Sequence, residues 1–288
     1  MEFTLTPLAD YACHTGEGPL YHPTENAVYW TDIPAGRLFR LDLTTGEHHP
    51  IEIGRPVGGF TLQDDGALLL FLDRGSVAIR HANGALTTVV EEIPDEIETR
   101  FNDVIAAPDG SVFCGTMPTK ERAGRLYHLA TDRTVTKLLD GIGCSNGCGF
   151  TPDRRAMYYT DSGAGTITRF AFDPTTSALT DPVLFAKAES GGGAPDGMTV
   201  DADGFVWSTR WDGACIVRYA PDGQEVGRIP FPVQKVSSAT FGGPDTATLY
   251  VTTAGGTQKE TDGALAGALF ALTIPGVHGV AEFVSTVR

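Results

Sequence analysis

Two stretches decide how this chain folds: YWTDIPAGRLFRLD (Tyr29–Asp42) and YYTDSGAGTITRFAFD (Tyr158–Asp173). Each opens Tyr-x-Thr-Asp, passes through Ala-Gly, and closes on alternating apolar residues that end in Asp. Period-two alternation between Gly/Asp punctuation reads as strand, turn, strand. The punctuation itself recurs. HPTEN (22–26), QDDGA (63–67), APDGS (107–111), TPDRR (151–155), DADGF (201–205) and GGPDT (242–246) return about every forty to fifty residues, which is the length of a propeller blade. A short mixed strand such as GGFTL or GCGFT precedes each turn, and a strongly apolar one such as AVYWT, ALLLFL or FVWST follows it. A third strand comes next, as in RLFRL or CIVRY, then a weaker fourth, as in TTVVEE. No segment of helical length carries apolar residues at i, i+3 and i+4. The chain therefore reads as all-β: a six-bladed β-propeller with four-stranded antiparallel blades around a central channel, one domain over residues 1–288. Its two ends, EFTLTPL and VAEFVSTV, are expected to complete the last blade together, leaving no open sheet edge.

Composition narrows the partners. With 36 acidic residues against 21 basic ones the formal net charge is −15. No Lys/Arg cluster interrupts that background, which argues against a nucleic-acid partner. No apolar run approaches the ~18 residues of a membrane span, so no membrane partner is expected. The first ten residues, MEFTLTPLAD, lack a basic segment followed by an apolar one, the pattern of a signal peptide. Five scattered cysteines suit a reducing compartment, and the expected location is cytoplasmic. Oligomeric state is not legible.

GCSNG (Gly143–Gly147) fits G-x-S-x-G, the nucleophile-elbow pattern. That elbow needs a strand, a sharp turn and a helix. Here CGFTPDRRAMYYTD follows, which reads as strand, turn, strand, so Ser145 is not expected to be a nucleophile. Cys144 and Cys148 lack a second pair with which to hold a metal, and read as reduced buried thiols.

The repeat serves as a ruler. Stepping back seven residues from the turn position of each unit (Thr24, Asp65, Asp109, Asp153, Asp203, Asp245) gives Glu17, Gly58, Asn102, Asn146, Asp196 and Ser238. First strands line a propeller's channel, so these positions should converge at one mouth. That gathers two carboxylates, two amides and a hydroxyl around one axis, where the carboxylates repel each other and desolvation adds to the cost unless a cation sits among them. Oxygen donors suit Ca²⁺, Mg²⁺ or Mn²⁺, with Zn²⁺ and Fe²⁺ also compatible. The alternative is that these Asn and Asp residues only shape turns.

The segments GEGPLYHP, YWTDIPAGRLFRLD, RFNDVIAAPDGSVFCGTM, SNGCGFTPDRRAMYYTDS, PDGMTVDADGFVWSTRW and FGGPDTATLYVTTA together resemble the gluconolactonase/regucalcin (senescence marker protein) family over nearly the whole chain. The resemblance implies a six-bladed propeller with one divalent metal cation that hydrolyses sugar lactones. By motif it implies Glu17, Asn146 and Asp196 as metal ligands, Arg100 and Asn102 as the substrate-binding pair, and Asp196 as acid/base. One departure concerns the loop after GTM. It is short here (PTKERAGRLY), unlike the lid-forming loop of the regucalcin-like members, so no lid role carries over to Glu121, and the part of residues 118–124 in covering the site stays open.

The expected activity is hydrolysis of an aldonolactone to the aldonic acid, with the metal as Lewis acid and Asp196 moving the proton. Two alternatives stay open: the same site acting on another ester or a phosphotriester, and a non-enzymatic propeller that binds calcium or a partner. Lys120, Arg122, Arg210, Trp211 and Lys235 are the side chains expected to tune the substrate. A sulfonated or phosphorylated sugar requires several of those cations to converge.

Overall fold

Every residue of LLLFL, Leu68–Leu72, is buried. Consecutive side chains of this strand enter two different cores. Leu68, Leu70 and Leu72 pack with Tyr29 and Phe60 on one side, while Leu69 and Phe71 pack with Phe101 and Val112 on the other. Such a strand is sandwiched between sheets on both faces, which is why its sequence is an unbroken apolar run. The same division recurs between each pair of neighbouring blades and produces six inter-blade cores.

The computed structural model describes residues 2–288 and holds six four-stranded antiparallel sheets, the expected six-bladed propeller. The inner strands are Gly16–His22, Val57–Leu62, Phe101–Ala106, Ser145–Phe150, Ala194–Val200 and Val236–Gly242. The recurring Thr-Asp pair has a defined job at their starts. The Asp32 carboxylate accepts the N–H groups of His14 and Thr15, just before the first inner strand, and Asp161 does the same for Gly143 and Cys144 before the fourth. Thr31 Oγ1 donates to Val57 O of the next blade, and Thr209 Oγ1 to Ser237 O, so each hydroxyl ties one blade to its neighbour.

Ring closure follows half of the expectation. Thr4–Asp10 pairs antiparallel with Ala268–Thr273 as the outer strand of the sixth blade. VAEFVSTV joins no blade. It crosses the far mouth of the channel, where Ser285 N donates to Leu62 O at 2.7 Å, Thr286 N to Gly110 O at 2.9 Å, and Gln63 Nε2 to Val287 O at 2.7 Å. With the sixth sheet already complete, the tail instead pairs with groups at and just beyond the ends of the inner strands. Glu282 and Phe283 thereby come to line the channel's lower end.

All six inner strands shift register near their starts, between Glu17/Leu20, Val57/Gly59, Phe101/Val104, Asn146/Cys148, Pro195/Met198 and Val236/Ser238. Bulges re-aim side chains, and these six share one phase around the axis. Asn146-Gly147 and Asp196-Gly197 look like hairpin turns in sequence, yet both lie inside strands. Their glycines allow close approach of the next blade: a Cβ on Gly147 would sit 2.6 Å from Asp196 O and from Met198 N. Backbone atoms cannot yield as a side-chain tip can, so Gly147→Ala is expected to destabilise the fold by about 1–3 kcal/mol, the cost of overpacking. Urea unfolding of parent and variant checks this, and equal midpoints would show that the blades are less tightly seated.

Candidate active site

The bulges bring Glu17, Asn102, Asn146 and Asp196 from four blades to one pocket of about 300 Å³, together with Arg100, Ser162, Met117, Cys144 and Trp211. The four repeat-phase side chains are at most 5% exposed. Two other ruler positions do not join them. At Gly58 the Phe101 carbonyl occupies the space of a side chain, 2.0 Å from where a Cβ would stand. Ser238 faces a smaller cavity of about 70 Å³ deeper in the channel, with Asp103 and Glu282.

Acidic groups dominate the interior. Burial raises the Glu17 carboxyl well above the usual range, and the neighbouring Asp196 and Asp103 add to the rise, while Gly18 N–H and Arg100 oppose it. Asp196 is likewise raised, first by burial and then by Asp103, with Arg100 and Arg210 opposing. Asp103 is pushed up to about 7 by burial. Sequence reasoning missed Asp103. Strand alternation puts residues 102 and 103 on opposite faces, but the bulge between Phe101 and Val104 breaks that rule. The adjacent Asn-Asp in RFND was the available signal.

The amides and the arginine are organised. Arg100 Nη1 donates to Phe101 O at 2.8 Å and Asn102 Oδ1 at 2.7 Å, and among the described residues no carboxylate pairs with it within 4 Å. Its Nε and Nη2 donors remain for a ligand. Asn102 Nδ2 donates to Ser145 O and Asn146 Oδ1, leaving Oδ1 one free lone pair.

The pocket also shows what can hold a cation. Glu17 accepts one hydrogen bond, from Gly18 N–H at 3.2 Å, and Asp196 accepts none among the described residues. Buried carboxylates without donors are costly unless a cation satisfies them. The donor set therefore fits a divalent ion.

The thiol and hydroxyl nucleophiles fit poorly. Ser145 is fully buried, accepts a 2.6 Å hydrogen bond from Tyr159 Oη and points at Gly115 between two blades. Cys144 borders the pocket, but burial, with Asp196 nearby, pushes its thiol up to about 12. All five cysteines are free thiols.

Of the five side chains expected to tune the substrate, only Trp211 borders the pocket. Arg210 lies inside a strand, buried between blades, bonded to Ser208 Oγ and Tyr219 Oη. Lys235 is held by Asp212 and Asp262. Arg122 is tied to the buried Glu96 and to Asp95 O, which draws the 118–124 loop toward the segment before the third blade. Lys120 and Glu121 are exposed and line no part of the pocket.

A six-bladed propeller with an acidic, bulge-built channel mouth defines the class of protein. Residues 15–255 match the SMP-30/Gluconolactonase/LRE-like region, and the chain belongs to that family. It is 47% identical to pentonolactonase XacC of Haloferax volcanii, with 99% of both chains covered. It is 32% identical to a 6-deoxy-6-sulfogluconolactonase of Pseudomonas putida over 93% of each. A solved calcium-binding regucalcin from Agrobacterium tumefaciens superposes with a TM-score of 0.91 at 28% identity, covering 99% of this chain and 98% of that one.

Two outcomes follow from this geometry. Ser145→Ala should keep lactone turnover within about tenfold of the parent, well short of the 10²–10⁴ that a catalytic proton-transfer group contributes. It should still cost about 1 kcal/mol of stability through the lost Tyr159 partner. A larger fall in turnover in a folded variant would return the serine to the chemistry. The second outcome concerns pH. Because the folded state holds the Glu17 proton more tightly than the unfolded chain, metal-free stability falls as pH rises above the ordinary Glu range. Glu17→Gln removes that penalty. In chelator the variant should be the more stable protein, by an amount that grows from pH 5.5 to pH 8. Chemical denaturation at both pH values measures it, and a pH-independent difference would mean that Glu17 is not under this strain.

Proposed function

We propose that this chain hydrolyses a neutral sugar lactone to the free aldonic acid, using a divalent cation held by Glu17, Asn146 and Asp196, with a pentonolactone as its first-choice substrate. Kinship with a pentonolactonase and a sulfogluconolactonase makes the chain a sugar lactonase; the metal, the residue roles and the substrate are the proposal. The observation that carries it is the pair of buried, donor-poor carboxylates facing one pocket beside an arginine with free donors. All three candidate ligands offer oxygen, which favours calcium, magnesium or manganese, and a calcium-binding relative puts calcium first.

A bound divalent cation supplies Lewis acidity toward the lactone carbonyl. Asp196 accepts the proton of the attacking water and returns one to the ring oxygen as the ester bond opens. Burial raises this carboxyl in the cation-free site, and a bound cation opposes that rise, so that in the loaded site the carboxylate is ionised and able to accept the proton at neutral pH. Arg100 Nε and Nη2 hold substrate oxygens, and the free lone pair of Asn102 Oδ1 accepts from a sugar hydroxyl. Trp211 and Met117 supply apolar surface for the C–H faces of the ring.

The preference for a neutral sugar rests on the cations. Arg100 is the one cationic side chain lining the pocket among the described residues. A sulfonate or phosphate would need more, and Arg210, Lys235 and Arg122 are committed elsewhere. Free thiols throughout support a reducing compartment, the cytoplasm.

The test is a pH-indicator assay on pentono- and hexonolactones, a sulfonated hexonolactone and an aryl ester, after chelation and re-addition of single metals. Neutral lactones should exceed the other two classes by more than about tenfold, and chelation should abolish turnover. Asp196→Asn at saturating metal should bind substrate but turn over about 10²- to 10⁴-fold more slowly. Turnover within tenfold of the parent would leave Asp196 as a ligand only, and metal-independent activity would sink the whole reading.

A further inference from the structure

Side chains from two blades and a backbone carbonyl from a third form one directed chain of hydrogen bonds behind the pocket. Arg100 Nη1 donates to Asn102 Oδ1 at 2.7 Å. Asn102 Nδ2 donates to Asn146 Oδ1 at 2.7 Å. Asn146 Nδ2 donates to Ser162 Oγ at 2.7 Å. Ser162 Oγ donates to Pro195 O at 2.5 Å. Pro195 directly precedes Asp196 in the inner strand of the fifth blade.

The two ends of this chain fix its direction. A guanidinium has donors only, so the Asn102 carbonyl must face Arg100 and its NH₂ must face onward. The Asn146 carbonyl must then receive that NH₂, because the opposite orientation would set donor against donor. At the other end a backbone carbonyl only accepts, so the Ser162 hydroxyl spends its proton on Pro195 and is free to accept from Asn146. No link can reverse without breaking another. Asn146 Oδ1 is thus held toward Asn102 at the wall of the pocket, with its second lone pair unspent among the described residues. Ser162 is the only link that also reaches the strand carrying Asp196.

We infer that Ser162 is a positioning residue: it orients the Asn146 carbonyl and fixes the distance between Asn146 and Asp196 across the blade boundary. The inference rests on the proposed reading of Glu17, Asn146 and Asp196 as the cation's ligands. Ser162 itself is half-buried in the turn after the YYTD strand, at the place where the first blade has Ile33. A side chain needed only for the fold could be apolar there too. The hydroxyl is what the relay requires. Without it Asn146 Nδ2 keeps only a 3.6 Å contact to Cys144 Sγ, and the amide loses its preferred orientation.

The test is calcium binding to chelator-treated protein by calorimetry, with thermal unfolding and lactone kinetics on the same samples. Ser162→Ala should weaken calcium by about five- to tenfold, the size expected from one or two hydrogen bonds. Ser162→Thr, which restores the hydroxyl, should bind within about twofold of the parent. At calcium concentrations that saturate each protein, kcat of Ser162→Ala should return to within about threefold of the parent, because the ligands themselves remain. A Ser162→Ala variant that binds calcium as tightly as the parent overturns the inference while leaving the metal reading intact. So does one whose loss is not recovered by Thr. Parent protein that binds no divalent cation removes the metal reading and this inference with it, so the two failures are distinct.

Discussion

Burial raises the carboxyls of Glu17, Asp103 and Asp196 within one channel, and Arg100 opposes the rise at all three. The rest of the structure serves to hold this unfavourable arrangement in place. Three carboxylates cannot all ionise there without a counter-charge, so they keep protons or, on the proposed reading, take a cation. A propeller suits that role. Its six inter-blade cores lie away from the axis and stabilise the ring without requiring any particular residue at the channel. Residues at the mouth are therefore released from packing duty and can be selected for chemistry, at a cost in stability that the cores absorb.

Precision comes from two features of the backbone rather than from the carboxylates. The first is the bulge near the start of every inner strand, which in four of the six blades turns a polar side chain into one pocket. The second is the glycine after Asn146 and after Asp196, which lets the neighbouring strand come close enough for the amides and hydroxyls to bond across the blade boundary. The relay from Arg100 to Pro195 depends on both. It crosses two blade boundaries, between residues forty-four apart at the first and thirty-three apart at the second, and its direction is imposed by a donor-only group at one end and an acceptor-only group at the other.

The channel's two mouths are treated differently. At the upper mouth the loop over 118–124 lines no part of the pocket and is tied by Arg122 to Glu96. The lower mouth is crossed by the C-terminal segment, which bonds to the second and third blades and brings Glu282 against the cavity beneath the site, where burial raises its carboxyl. The ring is thus closed at the rim by the N-terminal strand, and its lower mouth is crossed by the C-terminal segment.

The sequence by itself determined the fold class, the blade count and four of the residues that meet at the mouth. Those properties are periodic: the Tyr-x-Thr-Asp and Asp-Gly punctuation repeats with the blade, so a fixed offset finds Glu17, Asn102, Asn146 and Asp196 without knowing any contact. Arg100 came from the RFND resemblance rather than from the period. What only the tertiary structure decided is whatever breaks the period. Asp103 reaches the channel because a bulge sets aside strand alternation. Ser162 matters because it touches Pro195 of the next blade, thirty-three residues away. Arg210 looked like a rim cation but faces Tyr219 between two blades, because its strand alternates Trp211 to the pocket and Arg210 away from it. The C-terminal segment reads as a strand, yet it finds its partners at the axis, because the sixth sheet had already been completed by the other end of the chain. A repeat places equivalent positions on a ring, but which side chains touch across the blade boundaries is set by backbone approach distances that no single repeat contains.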